Sequence, residues 1–449
     1  MSQPRSVGPW WRRTATALLE LDRTAEHRSD QEIEAEVQQN YRWNLTANLL
    51  DGAAFWFGLS LISSSTIVPL FISKLTPSQI PIGLAAVIAQ GGWFLPQLFT
   101  ARWTEGLSRV KPVSVNLGLI VERLPVWLLV VAAAVAAYSP GAALALFFVG
   151  YVLRSLGAGA VGPAWQELVA RWCPVERRGR FMGTANFLGA SAGAAGAALT
   201  TWLLNAREFP SSFVIVFAVA ASAMTLSWFF LSLTREPVHP PIERRPTSRE
   251  FRAGLPEILR RDKNFRHFLI SRSLIALGGI GLGFLTVAAV RRWQVPDATV
   301  GLYTAVYWLG QTAGTLSLGF LADRRGHKLS LELGTLAAVC AYGIAWLAPA
   351  PEWYLVVFSL IGINSGALLG SGILIALEFS PPRRRPTYVG LTNTIVGVVN
   401  IVAPLLGTWL TSVSYSSAFA ASAVAGLAGL VLMHWWVREP RWTDAVTTQ

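Results

Sequence analysis

The sequence predicts an all-α integral membrane protein of twelve transmembrane helices, arranged as two pseudo-symmetric bundles of six. Three observations point there: apolar blocks long enough to cross a bilayer, basic residues confined to alternate loops, and a repeat relating the first half to the second. Of 449 residues, 53% are hydrophobic and only 14% charged, whereas an ordinary soluble domain carries roughly 25% charged residues. With a mean hydropathy of +0.44, the chain has too little polar surface to cover a soluble globule.

The apolar blocks come first, because a spanning helix needs roughly 20 residues. They run over 44–73, 78–101, 113–137, 141–169, 181–205 and 211–233, and then, after a polar stretch, over 267–290, 298–321, 329–348, 353–377, 387–411 and 415–436. These are spans 1 to 12. The corresponding domains are an N-terminal tail (1–43), a first bundle (44–233), a linker (234–266), a second bundle (267–437) and a C-terminal tail (438–449).

The net charge of +12 would suggest nucleic acid in a soluble protein, but no aromatic and basic platform for bases exists, and the placement of the charges is more informative. One side receives Arg102, Arg109, Lys111, Arg171, Arg177, Arg178, Arg180, the linker, Arg324, Arg325, Lys328 and Arg383 to Arg385. The other receives Lys74, Arg207, Arg291 and Arg292. By the positive-inside rule, both termini are cytoplasmic in an inner membrane. Tryptophans mark the same boundaries: Trp43, Trp103, Trp172 and Trp435 at inner ends, Trp202, Trp293, Trp353 and Trp409 at outer ends.

The tail has no apolar signal-peptide core. Trp10 and Trp11 followed by Arg12 and Arg13 read as an interfacial anchor, and Leu18, Leu21 and Ala25 share one helical face; a short surface helix and a disordered tail both fit. In the linker, Thr247 and Glu250 resemble a capping box, with Phe251, Leu255, Ile258 and Leu259 on one face. An amphipathic surface helix interrupted near Pro256 is expected. Cys173 and Cys340 are far apart and the five histidines do not cluster, so neither a disulfide framework nor a metal site is expected.

The repeat is direct. NYRWNLTANLL (Asn40 to Leu50) opens span 1 and NFRHFLISRSL (Asn264 to Leu274) opens span 7, so Asn40 is matched to Asn264. Spans 2 and 8 align without a gap: Gly83 meets Gly301, Gly92 meets Gly310, and Glu105 meets Asp323. GTAN (Gly183 to Asn186) corresponds to GLTN (Gly390 to Asn393), preceded by Glu167 and Glu378. Such a repeat predicts two bundles about a pseudo-two-fold axis along the membrane normal, with a solute site between them.

Between spans 8 and 9 the chain reads GFLADRRGHK, with Gly319, Asp323, Arg324, Gly326 and Lys328. This resembles the loop signature of the major facilitator superfamily, with His327 in place of the usual Arg. The resemblance implies a gate on the cytoplasmic side in which the Asp braces the start of a neighbouring helix. A carboxylate is favourable there, because it meets orphan N–H groups and a partial positive charge. On this basis Asp323 faces the start of span 5 and Glu105 the start of span 11. The first-half copy keeps Glu105, Arg109 and Lys111 but has Ser108 where the second Gly would stand. Span 4 reads RSLGAGAVGP from Arg154, which is similar to the same family's helix-4 motif, linked to proton coupling or anion contact. Gly189, Gly193 and Gly196 in span 5 loosely resemble its antiporter motif without the Gly-Pro step, and close helix packing explains them as well.

Arg154 lies well inside its span, as do Asp51, Glu122, Arg123 and Arg272. Intramembrane charges are expensive and by default mark function. Glu122 and Arg123 are adjacent, and neighbours on an α-helix do not face each other, so each is expected to need its own partner. Two carboxylates against three guanidiniums favour an anionic or zwitterionic solute over a cation. Asp51 and Glu122 are the only deep carboxylates that could take up a coupling proton. Gln90, Gln311 and Asn364, with Trp56, Trp93 and Trp308, are candidates to line the cavity, the tryptophans more readily read as lipid-facing or as interhelical packing. No phosphate-binding loop is present, no cofactor is expected, and no nucleophile–base pair suggests an enzyme. The expected activity is movement of a small organic solute by alternating access, possible with H+; the alternative is a non-transporting sensor, assembly factor or pigment carrier on the same fold.

Overall fold

The computed structural model describes residues 29–104, 107–238, 259–372, 374–380 and 385–443. The tail anchor, the linker capping box and Glu105 lie outside these. Among the described residues there are helices and no strands. Among the described residues nine helices are long and apolar enough to cross a membrane, corresponding to spans 3 to 7 and 9 to 12. Spans 1, 2 and 8 are also helical, over Asp30–Leu61 with Ile67–Leu75, Ile80–Thr104 and Asp297–Arg325. They fall short in hydropathy because glycines, amides and hydroxyls dilute them. All three take part in the seam between the halves.

Local chemistry explains the ends and breaks. Ser139, Asp262 and Ser414 cap spans 4, 7 and 12 by accepting from Ala142 N, Phe265 N and Ser417 N. Span 1 breaks after Leu61 at Ser63, Ser64, Ser65 and Thr66, whose hydroxyls compete with helical bonding. Span 7 runs Lys263–Leu277, tightens into a 3-10 stretch over the glycine-rich Gly278–Phe284, and resumes over Leu285–Trp293. Span 3 begins π-helical over Val113–Leu117 and Leu119–Arg123 before Pro125–Val135. Span 10 is helical over Trp353–Ser371 and Leu374–Glu378.

Packing repeats between the halves. Span 1 packs on 5 and 6, span 2 on 4, and span 3 on 4 and 6; span 7 packs on 11 and 12, span 8 on 10, and span 9 on 10 and 12. The halves meet where span 2 packs on 11 and span 5 on 8, pairs that a two-fold axis exchanges. Side chains agree: a Cβ on Gly83 would strike Thr408 Oγ1 of span 11, and one on Gly301 would strike Thr201 Oγ1 of span 5. Thr201 and Thr408 stand in the register set by GTAN and GLTN.

The register at the start of spans 1 and 7 needs correction. Asn264 donates from its side chain to Arg438 O and accepts from Arg438 N, at 3.0 and 2.8 Å. In the first half it is Asn44, not Asn40, that makes the same reciprocal pair with Arg235, at 2.8 Å in both directions. The true equivalence is shifted by one helical turn, because partners after spans 6 and 12 set it. Trp172 is a second correction: it is fully buried against Phe181 rather than interfacial. Trp43, Trp103 and Trp435 are exposed at one end, and Trp202, Trp353 and Trp409 at the other.

Candidate functional site

Four of the five deep charges cluster inside the first half. Ser227 of span 6 donates to Asp51 Oδ1 at 2.6 Å. Glu122 and Arg123 pair with one another, contrary to the expectation of separate partners. Span 3 is π-helical at this point, and the wider winding brings successive side chains closer around the axis. The Arg123 guanidinium also lies over the Phe55 ring at 5.7 Å and against Gly118, where an added Cβ would sit 3.0 Å from Nη1. Arg154 is buried, within electrostatic reach of Tyr151, Glu122 and Arg123, and Asp51 interacts with Arg123 and Glu122. Two acids and two guanidiniums from spans 1, 3 and 4 thus balance.

The remaining candidates are separate from that cluster. Arg272 of span 7 is buried, and a Cβ on Gly372 of span 10 would lie 3.6 Å from its Nη2. Tyr307 donates to Ser365 Oγ at 3.0 Å, and Ser365 to Gln311 Oε1 at 3.4 Å, linking spans 8 and 10. Asn364 turns toward span 9, where a Cβ on Gly334 would stand 3.7 Å from its Oδ1. Gln90 is half-buried on span 2. The Trp56 ring packs over Gly189, that of Trp308 over Gly193, and the two rings meet edge-on at 5.6 Å. They are interhelical packing at the seam.

At the end carrying the basic loops, each half holds a carboxylate on a helix start. Glu236, after span 6, accepts from Val110 N at 2.7 Å, Lys111 N at 2.9 Å and Arg171 Nη1 at 3.0 Å. Arg171 also donates to Glu167 at 2.9 Å and to the carbonyls of Ser108 and Leu107 that follow span 2. In the second half Glu439 accepts from Lys328 N at 3.0 Å, while Arg441 binds Glu378 at 2.6 Å and the carbonyls of Ala322 and Asp323 that end span 8. Lys328 donates from Nζ to His434 O at 3.0 Å. The signal was legible as Arg235-Glu236-Pro237 and Arg438-Glu439-Pro440, one tripeptide after each six-span half; sequence reasoning missed it.

This changes the picture of the gate residues. Glu236 and Glu439 meet the starts of spans 3 and 9. Asp323 was expected to meet the start of span 5, but its side chain is exposed, as are Glu176 and Arg177 there. Arg324 is exposed with its guanidinium over the Phe320 ring at 4.1 Å, and a Cβ on Gly319 would meet nothing within 4 Å. Gly326 has a φ of +95°, and a side chain there would collide with Glu439; only glycine suits that sharp junction.

The halves are joined by polar contacts at the opposite end. Lys74 Nζ pairs with Asp297 Oδ1 at 2.7 Å, and Arg291 donates to Pro77 O at 2.6 Å. Thr286 donates to Ser65 O at 2.9 Å and Thr304 to Thr66 Oγ1 at 2.7 Å, so the broken backbone of span 1 finds its partners in spans 7 and 8. Gln79 bonds the Tyr415 hydroxyl. Sequence reasoning had counted Lys74 only as a topology charge and had not singled out Asp297. The basic-end contacts of Glu236, Arg171, Glu439 and Arg441 each stay within one half.

Comparison with known proteins follows the same lines. The profile of the Major Facilitator Superfamily matches residues 45–291 and 269–447. Multidrug resistance protein MdtL of Shigella flexneri serotype 5b is 27% identical over 180 residues, covering 39% of this chain and 46% of that protein; MdtL of Escherichia coli K12 matches to the same extent. The match thus spans less than half the length of these relatives. Among solved structures, the nucleoside transporter NupG has a TM-score of 0.65 at 14% identity, covering 88% of this chain and 100% of that one. The D-xylose-proton symporter has 0.64 at 13%, covering 88% and 98%. A bacterial homologue of the iron transporter ferroportin in an inward-facing state has 0.61 at 14%, covering 91% and 99%. At these identities the likeness is one of fold.

Proposed function

This chain belongs to the Major Facilitator Superfamily, and on that premise we propose that it is a secondary transporter that moves a small organic solute across a bacterial inner membrane by alternating access. The observation that carries this reading is the one-ended seam. The contacts of Lys74, Arg291, Thr286, Thr304 and Gln79 bind the halves at the end away from the basic loops. With basic loops cytoplasmic, the conformation is inward-facing, and the next step of the cycle breaks these contacts while Asp323 approaches the start of span 5. Two lobes rocking about a midplane site is the motion such a repeat supports.

The relatives named for multidrug resistance support extrusion as the direction. H+ is the coupling ion in this reading. Asp51 is the acceptor, held by a single described hydrogen bond from Ser227, while the neighbouring Arg123 is shared electrostatically with Glu122. Protonating Asp51 releases Arg123 wholly to Glu122, and this change of partner couples the proton to the tilt of span 1 against span 3.

The test is a proteoliposome with a pH-sensitive dye trapped inside and solutes added across classes. A transported solute moves the dye signal in wild type, whereas Asp51→Asn keeps solute exchange and loses proton movement by ~10-fold. If no solute moves above protein-free vesicles, the transport reading is wrong; if Asp51→Asn still moves protons, the coupling assignment is wrong.

A further inference from the structure

We infer that Arg272 is an anion-binding residue, and that the solute presents a carboxylate or similar oxyanion to it. The inference rests on the transport reading for the identity of the anion, and on a charge imbalance for its existence. Every other deep cation has an acid within reach: Arg123 pairs with Glu122, and Arg154 interacts with Glu122. Together with Asp51 they form a neutral group in the first half. Arg272 stands in the second half at 8% exposure. Among the described residues it forms no ion pair with a carboxylate, and its Nε, like those of Arg123 and Arg154, is buried with no hydrogen-bond partner.

A guanidinium cannot shed its proton to relieve this, and a buried cation is stable only when paired or hydrogen-bonded. The surroundings show that the head group is accommodated without being neutralised. Its Nη2 lies beside Gly372 of span 10, where an added Cβ would stand 3.6 Å away. The parallel N–H fork of Arg matches a planar carboxylate. The second half thus lacks one negative charge, which the solute brings.

The experiment uses the full chain purified in a fixed neutral detergent, with sodium benzoate, benzamide and benzylamine as probes and sodium chloride as the plain-anion control at matched ionic strength. Benzoate raises the melting midpoint in wild type while benzamide and benzylamine do not. Arg272→Met weakens the benzoate response roughly 10- to 100-fold, and Arg272→Lys, which keeps the charge and loses the fork, falls between. In the absence of any anion Arg272→Met melts higher than wild type, since an uncompensated charge has been replaced by an apolar side chain; this separates the proposal from mere loss of folding. A response to chloride equal to that of benzoate, or restored by anionic phosphatidylglycerol in place of benzoate, assigns the site to a bulk ion or lipid and overturns the solute assignment. A lower melting point for Arg272→Met, or an unchanged benzoate response, overturns the site itself. If Arg272→Met abolishes benzoate binding while wild-type proteoliposomes move nothing, the anion site stands and the transport reading fails. If both proteins transport with identical preference for charge, transport stands and the anion site fails.

Discussion

Replacing Glu236 by Ala removes a carboxylate whose side chain is fully buried and which holds three donors, Val110 N, Lys111 N and Arg171 Nη1. A hydrogen bond to a charged group contributes about 1.5–3 kcal/mol, and removing one member of a buried pair costs about 3–5 kcal/mol because the other is left uncompensated. Arg171 retains Glu167 and two carbonyls, which places the loss near the lower bound, about 3 kcal/mol. For a unit the size of one half, each kcal/mol moves the midpoint by about 2–4 °C, so Glu236→Ala is expected to melt about 6–12 °C below wild type. Glu439 is the internal control: it sits at the equivalent place but is only partly buried, with Lys328 N as its backbone donor, and Glu439→Ala is expected to cost about 1–2 kcal/mol. The double change Glu236→Leu with Arg171→Met recovers part of the loss, since an apolar pair leaves no buried charge. The assay is thermal unfolding in one detergent, followed by intrinsic tryptophan fluorescence. Equal midpoints for Glu236→Ala and wild type, or a larger loss at Glu439 than at Glu236, would refute the reasoning.

Burial pushes the Glu439 carboxyl above the ordinary glutamate value of 4.5, outweighing the bond from Lys328. The folded protein therefore holds more protons than the unfolded chain between the two values, and stability falls as pH rises through that window. Glu439→Gln flattens this decline, read as the midpoint against pH in the weakly acidic range. At the opposite end, the side chains of Lys74 and Asp297 are 33% and 16% exposed, so their pair is screened and contributes about 0.5–1 kcal/mol. Asp297→Asn shifts the population toward outward-open by roughly two- to five-fold, measured as a longer distance between spin labels at the exposed Tyr138 and Leu347; unchanged distances would remove the pair from the gate.

The parts of the fold visible in the residues alone are those set by local or periodic chemistry. Span positions follow from apolar length, loop asymmetry from the placement of Lys and Arg, and the equivalence of Gly83 with Gly301 from close packing that tolerates no larger side chain. The offset of Asn40 was invisible for a physical reason: the register of spans 1 and 7 is set by Asn44 and Asn264 bonding to Arg235 and Arg438, 191 and 174 residues away.

The site followed the same division. That Asp51, Glu122, Arg123, Arg154 and Arg272 lie deep could be read from their apolar neighbours, because depth is a one-dimensional property of a spanning helix. Which charges neutralise each other is three-dimensional. The winding of span 3 decided that Glu122 serves Arg123, and packing among spans 1, 3, 4 and 6 gathered four charges while leaving Arg272 apart beside Gly372. The composition counted one surplus cation; only tertiary structure decided which one it is, since Coulomb attraction depends on distance across helices and not along the chain.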